Sequence, residues 1–163
     1  MQTSTNITKK DTEHLRYCLS LAKEALNAGD EPFGSILVDA NNNVIAEARN
    51  RVNEKTALAH PEIELAQWAA DNLNVQERKN ITMYTTGEHC PMCAAAHGWV
   101  GIGSLVYLSS GKQLNTWLNE FGAEPAPIKF IPSEEIIKNS AIKGPAKGPM
   151  LEKIKNLHRK YYQ

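Results

Sequence analysis

Two short segments carry residues able to do chemistry: His60-Pro61-Glu62 and Cys90-Pro91-Met92-Cys93. Cysteines at i and i+3 lie on one face of a helix, and at a helix N-terminus the macrodipole favours their thiolate form. Two thiolates can grip one zinc ion. A neutral imidazole nitrogen of His60 fills a third tetrahedral position, and a catalytic zinc keeps the fourth for water. Zinc brings the ionisation of such a water near neutral pH. Glu62 can face the same cavity without ligating the metal. There its carboxylate would take a proton from water and pass protons to a ring nitrogen and a leaving amine. Two other readings of the cysteine pair remain open on these residues: a redox pair, and half of a structural zinc site. The chain holds three cysteines, and Cys18 is the third.

The elements that must position these segments follow from periodicity. Leu15, Cys18, Leu19, Ala22, Ala25 and Leu26 recur at helical spacing, with Asp11 as N-cap, Gly29 as terminator and Cys18 in the core. Residues 33–38 and 44–48 read as strands joined by the turn-forming run Asn41-Asn42-Asn43. Pro61 suits the first turn of a helix that runs to about Leu73. Residues 81–85 form a strand, and a second site helix opens at Cys90. A strand at 105–108, a helix at 114–121, a strand at 128–131 and a helix at 151–161 complete the order. Helices alternate with strands, so a mixed sheet covered by helices is expected. Residues 1–163 read as one domain.

Composition narrows the partners. Lys plus Arg and Asp plus Glu are 18 each, so the formal net charge is zero. Proteins that grip many phosphates usually carry a basic excess. The local cluster Lys153, Lys155, Arg159 and Lys160 reads as a solvated helix face. No apolar run is long enough to span a bilayer, and the polar N-terminus lacks the apolar core of a secretory signal. A cytoplasmic location is expected.

The paired segments resemble the cytidine deaminase superfamily, over about residues 32–107, and within it the branch of guanine deaminases and tRNA adenosine deaminases. The resemblance implies a three-layer α-β-α sandwich with a central five-stranded mixed sheet. It implies one zinc per subunit on His60, Cys90 and Cys93, with Glu62 carrying protons. The implied reaction is hydrolytic removal of an amine from a small nucleobase or nucleoside, with guanine or guanosine first. Adenosine in tRNA is the alternative, then cytosine. A zinc-binding pseudoenzyme is the non-enzymatic alternative, and the intact Glu62 opposes it. Relatives are commonly dimers, so a homodimer is expected.

Residue by residue, Phe33 of Pro32-Phe33-Gly34 would border the base pocket, Asn50 would hydrogen-bond the base, and Trp99 would stack on it. Core packing is the competing role for Phe33 and Trp99, and a turn role for Asn50. Two positions depart from the family pattern. Pro61 stands where relatives have Ala, Gly or Val, and it lacks the N–H that relatives aim at the base. His89 stands where relatives have Pro, and is read as a substrate contact or an exposed loop residue. Guanine deaminases of this type close their pocket with an acid and a C-terminal aromatic tail. Tyr161 and Tyr162 fit that tail, and Glu120 is the candidate acid.

Overall fold

The computed structural model describes residues 3–163. Its first helix, α1 (Lys9–Asn27), begins with a reciprocal pair of hydrogen bonds. The Asp11 N–H donates to the Thr8 hydroxyl at 3.1 Å, and the Thr8 N–H donates to the Asp11 carboxylate at 3.0 Å. Thr8 is therefore the N-cap, and Asp11, expected there, is the third helical residue of the capping box. Asp11 also accepts from the Tyr84 hydroxyl at 2.8 Å and from Lys143 at 2.9 Å, which ties helix to sheet. Gly29 follows the helix end with φ +92°, a conformation that glycine adopts without strain.

The strands are β1 (Thr3–Ser4), β2 (Gly34–Val38), β3 (Val44–Arg49), β4 (Thr82–Gly87), β5 (Ser104–Ser109) and β6 (Ala141–Lys143). They form one mixed sheet in the order β1-β6-β5-β4-β2-β3. β2 runs antiparallel to β3 and β4, while β4, β5, β6 and β1 pair in parallel. The expected mixed sheet is present, and the two-residue β1 extends its edge.

One strand lies elsewhere than expected. Residues 128–131 form no strand, and Ala141–Lys143 pairs with β5 instead. Ile128 and Ile131 are exposed, and Phe130 packs against Gly111, where a Cβ would overlap its ring. Pro125, Pro127 and Pro132 crowd the same stretch and remove ladder donors. In β6 only Ile142 is buried, so three residues were too few to show a period.

The remaining helices are α2 (Pro61–Asn72), α3 (Val75–Lys79), α4 (Pro91–Val100), α5 (Gly111–Glu120), α6 (Ser133–Ile136) and α7 (Pro149–Tyr162). Alternating strand residues feed two separate cores. Leu37, Met83 and Leu105 pack with Leu65 and Ala69 of α2 and Ala94 of α4. Ile36, Tyr84 and Val106 pack with Leu15 and Cys18 of α1, Trp117 of α5 and Ile154 of α7. Helices thus cover both faces, which gives three layers. Gly34 permits a close approach of α1 to the sheet, since a Cβ there would lie 2.4 Å from the Cys18 carbonyl oxygen. No helix among the described residues is long and apolar enough to cross a membrane.

Candidate metal centre

His60 is the N-cap of α2 and Cys90 the N-cap of α4, each followed by a proline at the first helical position. Proline is pre-organised for that position and loses no helical hydrogen bond there. The two helices pack against each other, so both positive ends meet at one place. Cys93 adds the third donor from the first turn of α4. The three donor atoms all lie within 4.8 Å of one another.

The spacing suits zinc. His60 Nδ1 is 3.6 Å from the sulfurs of both Cys90 and Cys93. Tetrahedral zinc, with bonds of about 2.3 Å to sulfur and about 2.0–2.1 Å to nitrogen, puts such atoms about 3.6 Å apart. The donor set is also the soft sulfur and nitrogen set that zinc prefers. In the metal-free protein the site holds its own charge pair. The Cys90 thiol is lowered to about 4, first by the hydrogen bond from Cys93 and then by His60. His60 is raised to about 9 by its bond to Cys90. Cys93, donating to Cys90 and buried, is held above its ordinary value.

Glu62 lies one residue into α2 beyond Pro61 and is buried, 5% exposed. Burial raises its pKa. One carboxylate oxygen accepts from the Thr85 hydroxyl at 3.0 Å, and Thr85 in turn accepts from the Ser35 hydroxyl at 2.8 Å. These two strand residues stand opposite each other in the β2–β4 register. They orient one oxygen of Glu62 and leave the other available to a reacting group. Ser35 is the one hydroxyl in the otherwise apolar β2, whereas β4 carries three threonines, so its sequence singles out none of them.

The other expected contacts divide. Phe33 meets the ring of His158 edge-on at 5.0 Å, and its Cε1 lies 3.0 Å from where a Gly87 Cβ would sit. Asn50 is buried, its N–H donates to the Phe33 carbonyl, and its Oδ1 accepts from the Val52 N–H at 3.0 Å. The turn role is therefore real, and it leaves the Asn50 amide NH₂ without an acceptor among the described residues. Pro61 is buried at the helix start.

Three assignments change. Trp99 is 91% exposed. Six residues beyond Cys93 is about 240° around the helix, on its outer side, so Trp99 does not wall the site of its own chain. His89 is fully buried, with Nε2 3.0 Å from Nδ1 of His97, so it faces inward and is not an exposed loop residue. Glu120 pairs with Lys155 on the surface at 3.3 Å.

A different acid, Glu31, lies within the electrostatic influence of His60. Burial raises its carboxyl, the charge of His60 opposes that shift, and the Tyr162 hydroxyl donates to it at 3.5 Å. Glu31 thus lies within electrostatic reach of His60, under the end of α7. Its neighbour Tyr161 accepts from Asn53 at 2.9 Å. A shallow cavity of about 330 Å³ opens on the outer side of His60, lined in part by Arg51, Leu58, Ile63 and Gln67.

Comparison with known proteins agrees with this geometry. Residues 8–109 match the family described as the cytidine and deoxycytidylate deaminase zinc-binding region. A probable cytosine deaminase of Schizosaccharomyces pombe is 32% identical over 152 residues, covering 91% of this chain and 90% of that protein. The tRNA-specific adenosine deaminase of Haemophilus influenzae is 38% identical over 87 residues, 53% of this chain and 50% of its own. The solved guanine deaminase of Nitrosomonas europaea has the same fold, with a TM-score of 0.68 at 21% identity over 97% of this chain and 86% of that one.

Proposed function

The chain belongs to the cytidine and deoxycytidylate deaminase zinc-binding family, and from that premise we propose that it hydrolyses the exocyclic amine of a small free nucleobase, guanine first. It is a zinc-dependent hydrolytic deaminase, and the reading assigns His60, Cys90 and Cys93 as the zinc ligands. The observation that carries it is the 3.6 Å approach of His60 to both sulfurs beside a buried, hydrogen-bonded Glu62. Zinc supplies the Lewis acidity that makes water nucleophilic near neutral pH. Glu62, steadied by Thr85, accepts one proton of the attacking water and passes it to the ring nitrogen; it then takes the second proton, from the hydroxyl now on the ring carbon, and passes it to the amine, which leaves as ammonia while the carbonyl forms. Residues 1–163 act as one catalytic unit in this reading, because all six strands share one sheet.

Glu31 supports the choice of base. An ionised carboxylate only accepts hydrogen bonds, so it favours a substrate rich in N–H donors. Free guanine offers two ring N–H groups besides its amine, guanosine one, and cytosine one. Phe33 supplies an apolar edge, and Asn50 supplies a free amide donor for a ring acceptor. Tyr162 over Glu31 narrows the approach for a polynucleotide, and the zero net charge points the same way. The full-length likeness to a probable cytosine deaminase favours cytosine as the second reading.

Ammonia release from zinc-loaded protein tests this on guanine, guanosine, cytosine, adenosine and a tRNA anticodon stem. Guanine turnover well above guanosine is expected, and Glu31→Gln is expected to raise KM about 10-fold with little change in kcat. Turnover of cytosine alone moves the assignment to the second reading. Inosine formed only in the tRNA stem overturns the free-base reading.

Trp99 fits a homodimer in this reading. Its exposed ring sits on the outer side of α4, and a second copy would remove it from water. Light scattering is expected to give a dimer mass for the parent and a monomer mass for Trp99→Ser. A monomeric parent at micromolar concentration sinks the dimer.

A further inference from the structure

We propose that His89 and His97 form a buried positioning pair that holds Cys90 in ligating geometry. The proposal rests on the assignment of His60, Cys90 and Cys93 as zinc ligands. The two cysteines differ in how their backbone is held. Cys93 is inside α4, so helical hydrogen bonds fix it. Cys90 is the N-cap, with φ −68° and ψ 165°; its carbonyl accepts from the Ala94 N–H at 2.9 Å, so α4 holds its C-terminal side and the preceding loop holds its N-terminal side.

That loop is tied from two sides. On the sheet side, the Glu88 N–H donates to the Ser109 carbonyl at 2.8 Å. The Glu88 carboxylate accepts from the N–H groups of Gly111 and Ser133 at 3.0 and 2.8 Å. On the helix side, the side-chain tie among the described residues is His89 Nε2 to His97 Nδ1, at 3.0 Å with ring planes inclined by 59°. His97 is itself well anchored. It lies on the buried stripe of Cys93 and Ala94, and its carbonyl accepts from the Gly101 and Ile102 N–H groups at 3.1 and 3.3 Å. Gly101, at φ +81°, ends the helix there. The pair therefore links the residue just before α4 to the last turn of the same helix.

Packing alone does not account for two imidazoles here. Both rings are fully buried, and His89 Nδ1 and His97 Nε2 have no partner among the described residues. Burying polar atoms without partners is unfavourable, and apolar side chains would fill the same space without that cost. What the imidazoles add is one directional bond, with one nitrogen donating and the other accepting. Its effect is to set the position of residue 89, and through it the sulfur of Cys90.

The test compares His97→Asn, whose amide occupies the place of Nδ1, with His97→Gln, whose amide sits one carbon farther out, and His97→Leu. Zinc affinity is read by competition with a chromophoric chelator. The visible absorption of the cobalt(II)-substituted protein reports ligand geometry, and circular dichroism reports the fold. His97→Asn is expected to bind zinc within about 3-fold of the parent. His97→Gln and His97→Leu are expected to lose about 10- to 100-fold, with a shifted cobalt spectrum, as when partners beyond the ligands are removed. Parent-like zinc binding and cobalt spectra in Gln and Leu overturn the proposal. So does a loss in Asn as large as in Leu, which would assign the effect to ring packing. If the Leu variant does not fold, the Asn and Gln pair decides. A parent that binds no zinc overturns the ligand assignment, whereas zinc binding indifferent to residue 97 overturns the pair alone.

Discussion

Glu62→Gln is expected to bind zinc as the parent does and to lose about 10²- to 10⁴-fold in kcat, the range associated with a positioned proton carrier. The carboxamide keeps the shape of the side chain and can still accept from Thr85, which donates to Glu62 at 3.0 Å. It cannot take up a proton from water and return it. Zinc content and turnover should therefore separate cleanly. Zinc near one per chain with kcat within about 3-fold of the parent would remove Glu62 from the mechanism.

The same variant has a stability consequence. Burial holds the Glu62 carboxyl above its ordinary 4.5 in the metal-free fold. A group raised on folding stabilises the fold below its unfolded pKa, and that contribution is lost as pH rises through the folded pKa. At neutral pH, where the unfolded group is ionised, Glu62 therefore costs the metal-free fold stability. Glu62→Gln is expected to raise Tm of the metal-free protein at neutral pH, and to lose that advantage in acid. A lower Tm at neutral pH would mean that the charge is compensated in place.

Zinc affinity is expected to rise about 100-fold per pH unit across the neutral range, because binding expels two protons. The metal-free site holds a proton on His60, raised to about 9, and another on Cys93, held above its ordinary value. Cys90, lowered to about 4, has already lost its own. Between those limits each ligand proton displaced adds one decade of affinity per pH unit. Chelator competition from about pH 6 to about pH 8 measures the slope, and proton release into a weak buffer gives the same count independently. A slope near one decade would mean that His60 or Cys93 is already deprotonated before the metal arrives. The slope concerns affinity alone and leaves the ligand identities to substitution of each donor.

His60, Glu62, Cys90 and Cys93 were legible in the chain because their arrangement depends on short-range rules. Pro61 and Pro91 mark helix starts, an N-cap residue and its near neighbours sit at the helix mouth, and the i, i+3 spacing sets both sulfurs on one side. The mixed sheet was legible for a similar reason, since most of its strands and helices carry their own periods. Asp11 shows the limit of local reading. Its capping role was visible within a residue or so, but its bonds to Tyr84 and Lys143 cross 73 and 132 positions.

His89 and Trp99 had comparable standing in the sequence, ten residues apart around the same cysteines. The fold turns one fully inward and leaves the other 91% exposed. Strand β6, with one buried residue, and the Ser35–Thr85–Glu62 chain were equally hidden, as was the acid at Glu31. Residue type and spacing state which atoms could bind a metal or carry a proton. Which side of a helix meets the sheet, and which acid Tyr162 meets, follows from how α1, α2, α4 and α7 cover the two faces. That covering is set by the summed burial of many side chains far apart in sequence, and no window of a few residues contains it.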